Sequence, residues 1–420
     1  MSENSGSFVD LIIRNMRIED NGALVDIAIR GGRIVTIESQ IISDAAEHFD
    51  GKGAYAFGGF VDAHIHLDKA CILQRCKICE GTLVEAVRET AKAKAGFQEN
   101  DVYARAAHVV EKAILHGTVR MRSFVEIDPR AGFRSFMAIK RIKADYAFAI
   151  DLEICVFAQD GLTNEPETIA MLEEALADGA DLIGGCPYTD PDPTRHIELI
   201  FELAMKHDVP VDFHIDFDLD PHHTNLPAVI AATHHLGWEG RVSVGHVTNL
   251  SAMSEAEVLA IADQLASAGI ALAVLPATDL FLNGRGHDRL VPRGVAPAHL
   301  LAARRVNTSI ATNNILNPFT PYGDASLIRM ANLYANVAQL SRDADLSRVF
   351  EMVTSSTQHP ASDGRLAVGG KATIVLVDSD SRASAVREVA RVIAGWKDGR
   401  KSFDNGWPQL HKPLEKGTCP

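Results

Sequence analysis

The chain has 420 residues, of which 46% are hydrophobic, and these proportions suit a globular protein with one large domain and a smaller one. The formal net charge of −14 argues against a nucleic-acid or anionic-membrane surface, since such surfaces need clustered Lys and Arg. No apolar run approaches the ~18–20 residues of a membrane span, and no signal peptide is visible. Six cysteines are an ordinary number for a chain of this length and do not indicate a disulfide framework. We therefore predict a cytoplasmic protein.

The chain opens with a short β segment. Alternating apolar residues predict strands at residues 11–17, 25–30 and 33–39, separated by turns that contain Asn-Gly and Gly-Gly. Eight further apolar runs predict strands at residues 56–63, 118–127, 150–157, 181–185, 209–215, 241–246, 270–275 and 306–312. Amphipathic patterns predict helices that include residues 100–116, 165–178, 194–207, 254–268 and 296–305.

This alternation of strands and helices predicts an α/β fold, a (β/α)8 barrel of the TIM type. A doubly wound sheet is the competing architecture, but it usually carries a Gly-rich loop after its first strand, where this chain has His-Ile-His. Another strand is predicted at residues 366–378. We therefore expect a barrel domain over residues 57–363 and a small β-sandwich domain formed by residues 1–56 and 364–420.

Polar residues follow several of the predicted strands, and the chemistry of a barrel lies at the carboxyl ends of its strands. His64 and His66 end the first strand, and residues two apart in an extended segment point the same way, as ligands of one metal ion must. The alternative is that both imidazoles are satisfied by hydrogen bonds without any ion. The other polar residues at predicted strand ends are His214, His246, Gln159, Asn313 and Asn314.

These motifs resemble the amidohydrolase superfamily, in particular the branch of bacterial cytosine deaminase and N-isopropylammelide hydrolase. The resemblance rests on Gly-Gly-Phe-Val-Asp-Ala-His-Ile-His-Leu-Asp-Lys at residues 58–69, Val-Phe-Ala-Gln-Asp-Gly at 156–161, Val-Asp-Phe-His at 211–214 and Gly-His at 245–246. Pro318, Pro321, Tyr322 and Gly323 also fit, and the resemblance covers essentially the whole chain.

The resemblance implies a hydrolase with one divalent metal ion, zinc being expected and iron or manganese the alternatives. His64, His66 and His214 would be the metal ligands, His246 would lie beside the metal-bound water or the substrate, and Gln159 would bind a polar edge of a planar heterocycle or amide. Relatives with two metals bridge them by a modified Lys at the end of strand four, where this chain has Gly-Gly-Cys-Pro. The expected reaction is deamination, or amide or lactam hydrolysis, of a small cyclic nitrogen compound by a metal-activated water.

Three positions depart from the cytosine deaminase pattern. Asn313 stands where the family has a metal-binding Asp, and an amide cannot act as a base. Phe217 replaces a proton-shuttling Glu, and Phe124 replaces a His. We expect Phe217, Phe124, Gln159 and Asn314 to face the substrate and Asn313 to lie at the metal, with His246, Asp216 or Asp218 as the base.

Three functional interpretations follow from these departures. The first is an active metal hydrolase of this branch with altered proton handling. The second is a catalytically altered or inactive relative that binds a small heterocycle. The third is an enzyme that uses the same pocket for a different reaction on an amide, lactam or amine. In each case the expected partner is a small nitrogen-containing molecule rather than nucleic acid or membrane, and a homo-oligomer is possible.

Overall fold

The computed structural model describes residues 8–355 and 364–411. Its strands are β1 Val9–Met16, β2 Val25–Arg30, β3 Arg33–Glu38, β4 Ala45–Asp50, β5 Tyr55–Phe57, β6 Phe60–Ile65, β7 Thr118–Glu126, β8 Asp151–Ala158, β9 Leu182–Gly185, β10 Val211–Ile215, β11 Val242–His246, β12 Ala271–Val274, β13 Thr308–Ile310, β14 Ile374–Val377, β15 Val392–Lys397 and β16 Arg400–Asp404. Its α-helices are α1 Leu83–Lys94, α2 Glu99–Leu115, α3 Arg134–Asp145, α4 Glu167–Ala177, α5 Pro193–His207, α6 Leu226–Leu236, α7 Glu255–Ser267, α8 Pro276–Leu282, α9 Ala298–Ala303, α10 Leu327–Val337, α11 Asp343–Glu351 and α12 Arg382–Glu388. None of these helices in the described ranges is long and apolar enough to cross a membrane.

Strands β6 to β13 form one eight-stranded sheet in chain order, and each neighbouring pair is parallel. The sheet closes on itself where Ile65 bridges Asn313. The His66 N–H donates to the Asn313 carbonyl at 2.8 Å, and the Asn313 N–H donates to the His64 carbonyl at 2.8 Å. The predicted (β/α)8 barrel is thereby confirmed, and the backbone of Asn313 joins its last strand to its first.

Alternation along the strands divides side chains between the barrel interior and the surrounding helices. On β8, Ile154 and Val156 pack in the large cluster that includes the helices, whereas Cys155 and Phe157 face inward with Phe124. A charged layer lies within the barrel below the histidines, because the Arg122 guanidinium donates to the Asp212 carboxylate at 2.7 Å. Arg122 precedes Phe124 by two residues and Asp212 precedes His214 by two. The ion pair therefore lies one layer below these side chains in the barrel.

The chain ends form two four-stranded sheets, with strand orders β3-β2-β1-β4 and β16-β15-β14-β5. Leu11, Ile13, Ile374 and Trp396 belong to one buried cluster shared by both sheets, which makes a sandwich of them. The domain limits expected from the sequence stay a prediction, and residues 1–7, 356–363 and 412–420 of those ranges lie outside the described residues.

The single strand predicted at residues 56–63 is wrong, because the chain changes sheets at Gly58 and Gly59. β5 pairs with β14 in the sandwich, whereas β6 pairs with β7 in the barrel. Gly59 has a φ of +92°, and a Cβ there would meet Val119 side-chain atoms at 2.5 Å, so the bend needs glycine. The strand predicted at residues 366–378 is likewise reduced to Ile374–Val377.

Candidate metal centre and its pocket

Three imidazoles converge at the carboxyl ends of β6 and β10. The Nε2 atom of His214 lies 2.9 Å from that of His64 and 3.1 Å from that of His66, and all three side chains are buried. A tetrahedral zinc site with Zn–N distances of about 2.0–2.1 Å sets its nitrogens about 3.3 Å apart. The three Nε2 atoms therefore have the spacing that a single ion requires.

Hydrogen bonds among the three imidazoles cannot satisfy their converging Nε2 atoms. A neutral imidazole offers one acceptor lone pair, so His214 Nε2 cannot accept from both neighbours. Burial and the nearby positive groups hold the pKa of all three imidazoles well below its ordinary value. Three neutral rings with converging lone pairs fit a bound cation.

Asn313 lines the same pocket and is held by the closure of the barrel. Its Oδ1 and Nδ2 atoms are both buried without a partner among the described residues. The preceding Thr312 donates its hydroxyl to the Asp62 carboxylate at 2.5 Å, which ties this segment to β6. Burial raises the pKa of Asp62 to about 6, against the opposing effect of its bonds to Thr312. The amide of Asn313 is thus free to contact a metal ligand or a substrate.

His246 is oriented by an acid that the sequence analysis missed. Its Nδ1 lies 2.7 Å from Asp279 Oδ1, and both side chains are buried. Burial raises the pKa of Asp279, while the charge of His246 and the hydrogen bond to it act in the opposite direction. The contact fixes the Nδ1–H tautomer and leaves Nε2 as the acceptor. The sequence signal was weak, since Asp279 lies in α8, in the loop region after the seventh barrel strand.

Lys69, the last residue of the strand-one motif, was also missed as a pocket residue. Its side chain is 2% exposed, its Nζ donates to Gln159 Oε1 at 3.2 Å, and the rings of Phe157 and Phe319 lie 5.4 and 4.8 Å from it. Among the residues the structure describes, no carboxylate lies within 4 Å of this ammonium. A buried cation with one neutral acceptor favours an electron-rich group on a ligand.

Part of the pocket wall is apolar. Leu83, Phe217, Leu282 and Phe319 line it and pack in one cluster, in which Phe319 also contacts Lys69. The Phe217 ring meets the His246 ring edge-on, with 4.6 Å between centroids and an interplanar angle of 87°. The remaining cavity measures about 20 Å³, which is enough for one water molecule but not for a heterocycle.

Most of the sequence-predicted site residues meet at this pocket. His66, Gln159, His214, Phe217, His246, Asn313 and Asn314 line it, and His64 completes the histidine cluster. Phe124 is not among the residues that line the cavity; its ring lies 4.0 Å from the His64 ring, beneath the histidine cluster. The expected contact of Phe124 with a substrate stays a prediction, and the geometry favours a role in supporting the imidazoles.

Asp216, which the sequence suggests as a catalytic residue, is hydrogen-bonded at the start of α6. Its carboxylate accepts from the Thr224 hydroxyl at 2.5 Å and the Asn225 N–H at 2.7 Å, at the start of α6. Asp218 pairs with His223 at 2.7 Å on the exposed side of the same loop. Neither carboxylate lines the cavity, so His246 is the candidate base that the geometry leaves.

Two residues of the site have a left-handed backbone. His246 and Asn313 have φ angles of +72° and +59°, in the left-handed region that non-glycine residues rarely adopt. Such conformations persist where surrounding contacts enforce them, and they cluster at functional sites. Here the Asp279 bond and the barrel closure supply those contacts.

Comparisons with known proteins agree with this geometry. The chain is 27% identical over 404 residues to N-isopropylammelide isopropyl amidohydrolase of Pseudomonas sp. (strain ADP), covering 93% of this chain and 96% of the relative. It is 29% identical over 324 residues to pterin deaminase of Rhizobium rhizogenes, covering 76% and 73%. The crystal structure of 5-methylcytosine deaminase from Klebsiella pneumoniae superposes with a TM-score of 0.90 at 24% identity, covering 96% of this chain and all of that one.

That structural likeness confirms the barrel with its accessory sheets. The family model described as "Amidohydrolase family" matches residues 155–403, more than half of the chain. Together with the convergent histidines, this match confirms the family expected from the sequence motifs. The protein is a member of the amidohydrolase family, a hydrolase acting on carbon–nitrogen bonds other than peptide bonds.

Proposed function

We propose that this protein hydrolyses a C–N bond of a small cyclic nitrogen compound, releasing ammonia or an amine or opening a lactam. The observation that carries the proposal is the convergence of three Nε2 atoms, 2.9 and 3.1 Å apart, at a pocket with one polar and one apolar wall. Relatives named for N-isopropylammelide and for pterin support a nitrogen heterocycle as the substrate.

His64, His66 and His214 would hold one divalent ion, and zinc is the ion we propose, with iron or manganese as alternatives. When bound by three neutral imidazoles with an open position, such an ion polarises the scissile group and brings the pKa of water towards ~7. Phe124 packs against two of the rings, at 4.0 Å from His64 and 4.7 Å from His214, and so keeps their orientation.

His246 is the residue that we propose moves the proton. Its Nδ1–H is committed to Asp279, so its Nε2 can accept a proton from the attacking water and later deliver it to the leaving nitrogen. The negative charge of Asp279 stabilises the imidazolium formed in between. Asn313 cannot take this proton, but its unpartnered Oδ1 can accept a hydrogen bond or approach the ion.

The polar wall would bind the ring edge of the substrate. Lys69 offers an ammonium with unused donors, and Asn314 lines the same side. Gln159 holds Lys69 through Oε1, and its Nε2 donates to the Cys186 thiol sulfur at 3.4 Å. This arrangement favours a ring that carries carbonyl or anionic oxygen. The wall of Phe217 and Leu282 then faces the departing nitrogen and suits an apolar substituent.

Metal analysis and a product assay test the proposal. Purified protein should contain about one divalent ion per chain, and a His64→Ala/His66→Ala variant should lose it. The loaded protein should release ammonia or alkylamine from a panel of triazines, pterins and cytosines that includes N-alkylated members. Lys69→Met should raise KM most for substrates whose ring carries carbonyl or anionic oxygen, because the substitution removes the cation that would bind that oxygen.

His246→Asn should abolish turnover with the metal retained, whereas the surface variant His235→Asn on α6 should not change it. Tight binding of these compounds without any product would favour the alternative expected from Asn313 and Phe217, a relative that binds a heterocycle without catalysis. Unchanged metal content in the double histidine variant would refute the site itself.

A further inference from the structure

Helix α1 covers the pocket with one end. Leu83, its first residue, lines the cavity, and Ala86 packs with Phe217, Leu282 and Phe319 in the apolar cluster. The side of α1 away from the pocket faces solvent, where Val84 is 74% exposed. The contacts of this end are apolar and non-directional, so they can separate and re-form without breaking hydrogen bonds.

The segment before α1 is fastened to the helix itself rather than to the barrel. The Glu85 carboxylate accepts from the backbone N–H groups of Cys79, Glu80 and Gly81 at 2.8–3.0 Å. The Thr82 hydroxyl caps the helix by accepting from the Glu85 N–H at 3.2 Å. Residues 79–86 therefore form one locally bonded unit that would move with the helix.

The other end of α1 is bound to the barrel by a buried charge. The Lys94 ammonium is 3% exposed and contacts Glu126, Asp128 at 2.5 Å and Asp160 at 2.8 Å. These three carboxylates lie within the spacing of a cation site, and the ammonium occupies its centre. Burial alone lowers the pKa of Lys94, but the charges of Glu126, Asp160 and Asp128 outweigh it and raise the pKa above its ordinary value. The lysine is therefore held as a cation.

The anchoring carboxylates follow the strands that build the polar wall. Glu126 ends β7, and its N–H donates to Asp68, the neighbour of Lys69, at 3.0 Å. Asp160 directly follows Gln159 at the end of β8. The ion pairs of Lys94 thus connect α1 to the ends of β7 and β8. Gln159, which accepts from Lys69, directly follows β8.

A ring does not fit the cavity of about 20 Å³ that these side chains leave, so residues that line it must move apart when a ring binds. We propose that α1 is a movable cap of the active site and that Lys94 is the positioning residue that anchors it. The Leu83 end swings away from Phe217 and Leu282 to admit substrate, while the Lys94 end stays bound to the carboxylates and guides its return.

Hydrogen exchange of the metal-loaded protein without substrate tests this inference independently of the reaction. In Lys94→Met, exchange of the α1 amides should become at least tenfold faster, while the barrel strands β10 and β11 keep their protection and the metal content is unchanged. Lys92→Met is the matched control, since Lys92 lies on the same helix but is 65% exposed and, among the described residues, forms its ion pair with Glu89 alone.

Lys94→Ala provides the second variant. Methylammonium added at millimolar concentration should enter the space left among the three carboxylates and restore the protection of α1, whereas tetramethylammonium, which has no N–H donor, should not. Unchanged α1 exchange in Lys94→Met, an equal change in Lys92→Met, or loss of protection spread over the whole barrel would each overturn the proposal. Where turnover is measurable, Lys94→Met should raise KM more than it changes kcat.

Discussion

Replacing Asn313 by Asp tests the proton handling of this site most directly. The change is isosteric, and the backbone at residue 313 is fixed by two hydrogen bonds of 2.8 Å to His64 and His66. Its φ of +59° is one that Asn and Asp tolerate better than other non-glycine residues. The variant should therefore fold normally and place a carboxylate where the unpartnered amide now lies.

Two opposing effects set the magnitude. A carboxylate at residue 313 would supply a second general base, and such assistance is typically worth roughly 10²–10⁴-fold, or about 3–5 kcal/mol of barrier. The same negative charge cancels part of the ion's charge and weakens its pull on the water proton. Because His246 already has Asp279 behind it, we expect a net gain near the lower limit, about 10²-fold in kcat on a family-type substrate.

Steady-state kinetics over a pH range measure the effect. The new base acts only when ionised, so the gain should grow as pH rises through the pKa of the introduced carboxylate. The substitution His246→Asn should lower kcat by a smaller factor in the Asn313→Asp variant than in the wild type. Asn336→Asp, an exposed position on α10, serves as the control for the substitution itself. A metal-retaining Asn313→Asp variant with lower turnover would show that the native mechanism uses the amide as such.

Further outcomes are expected from other parts of the molecule. Asp279→Asn removes a buried charge-assisted bond to His246 worth about 1.5–3 kcal/mol, so kcat should fall roughly 10–150-fold with the metal retained; an unchanged kcat would refute the proton role of His246. Folding raises the pKa of Asp62 to about 6. The protonated carboxyl therefore contributes to stability at pH values below the pKa that Asp62 has in the unfolded chain, and this contribution is lost as pH rises through 6. In metal-free protein the unfolding free energy of the wild type relative to Asp62→Asn should therefore decrease by about 2–2.5 kcal/mol between pH 4 and 7, as measured by urea titration; a difference that rises with pH would contradict this sign. A chain ending at residue 363 loses β14 to β16 and Trp396 from the shared sandwich core, and it should aggregate; a soluble, stable product would show that the two ends fold separately.

Part of the site could be predicted from sequence because it depends on local spacing. His64 and His66 lie on one side of an extended strand at any register, and the carboxyl ends of parallel strands meet at one edge of a barrel. The same reasoning placed His214, His246 and Asn313 at that edge, where the structure has them. The resemblance added the branch of the family and the likeness of Gln159 to a substrate-binding residue.

Other positions have surroundings that spacing along the chain does not indicate. The side chain of Phe124 on β7 faces the barrel interior, as expected. The rings of His64 and His214 pack against it and separate it from the cavity. Asp216 comes two residues after His214, yet the start of α6 binds its carboxylate. Gly58 and Gly59 lay within the strand predicted at residues 56–63, and only the pairing of β5 with β14 shows that the chain changes sheets there.

The sequence by itself determined the barrel and the grouping of the histidines, because periodicity and strand-end position depend on near neighbours in the chain. The family followed from the resemblance of the strand-end motifs. Tertiary structure decided the electrostatics of the site. Asp279 reaches His246 across 33 residues, Gln159 reaches Lys69 across 90, and Asp160 reaches Lys94 across 66. Periodicity states which face of a strand or helix a charge lies on, but not which charge lies opposite. Only the folded arrangement shows that Lys94 is neutralised by three carboxylates while Lys69 remains available to a ligand.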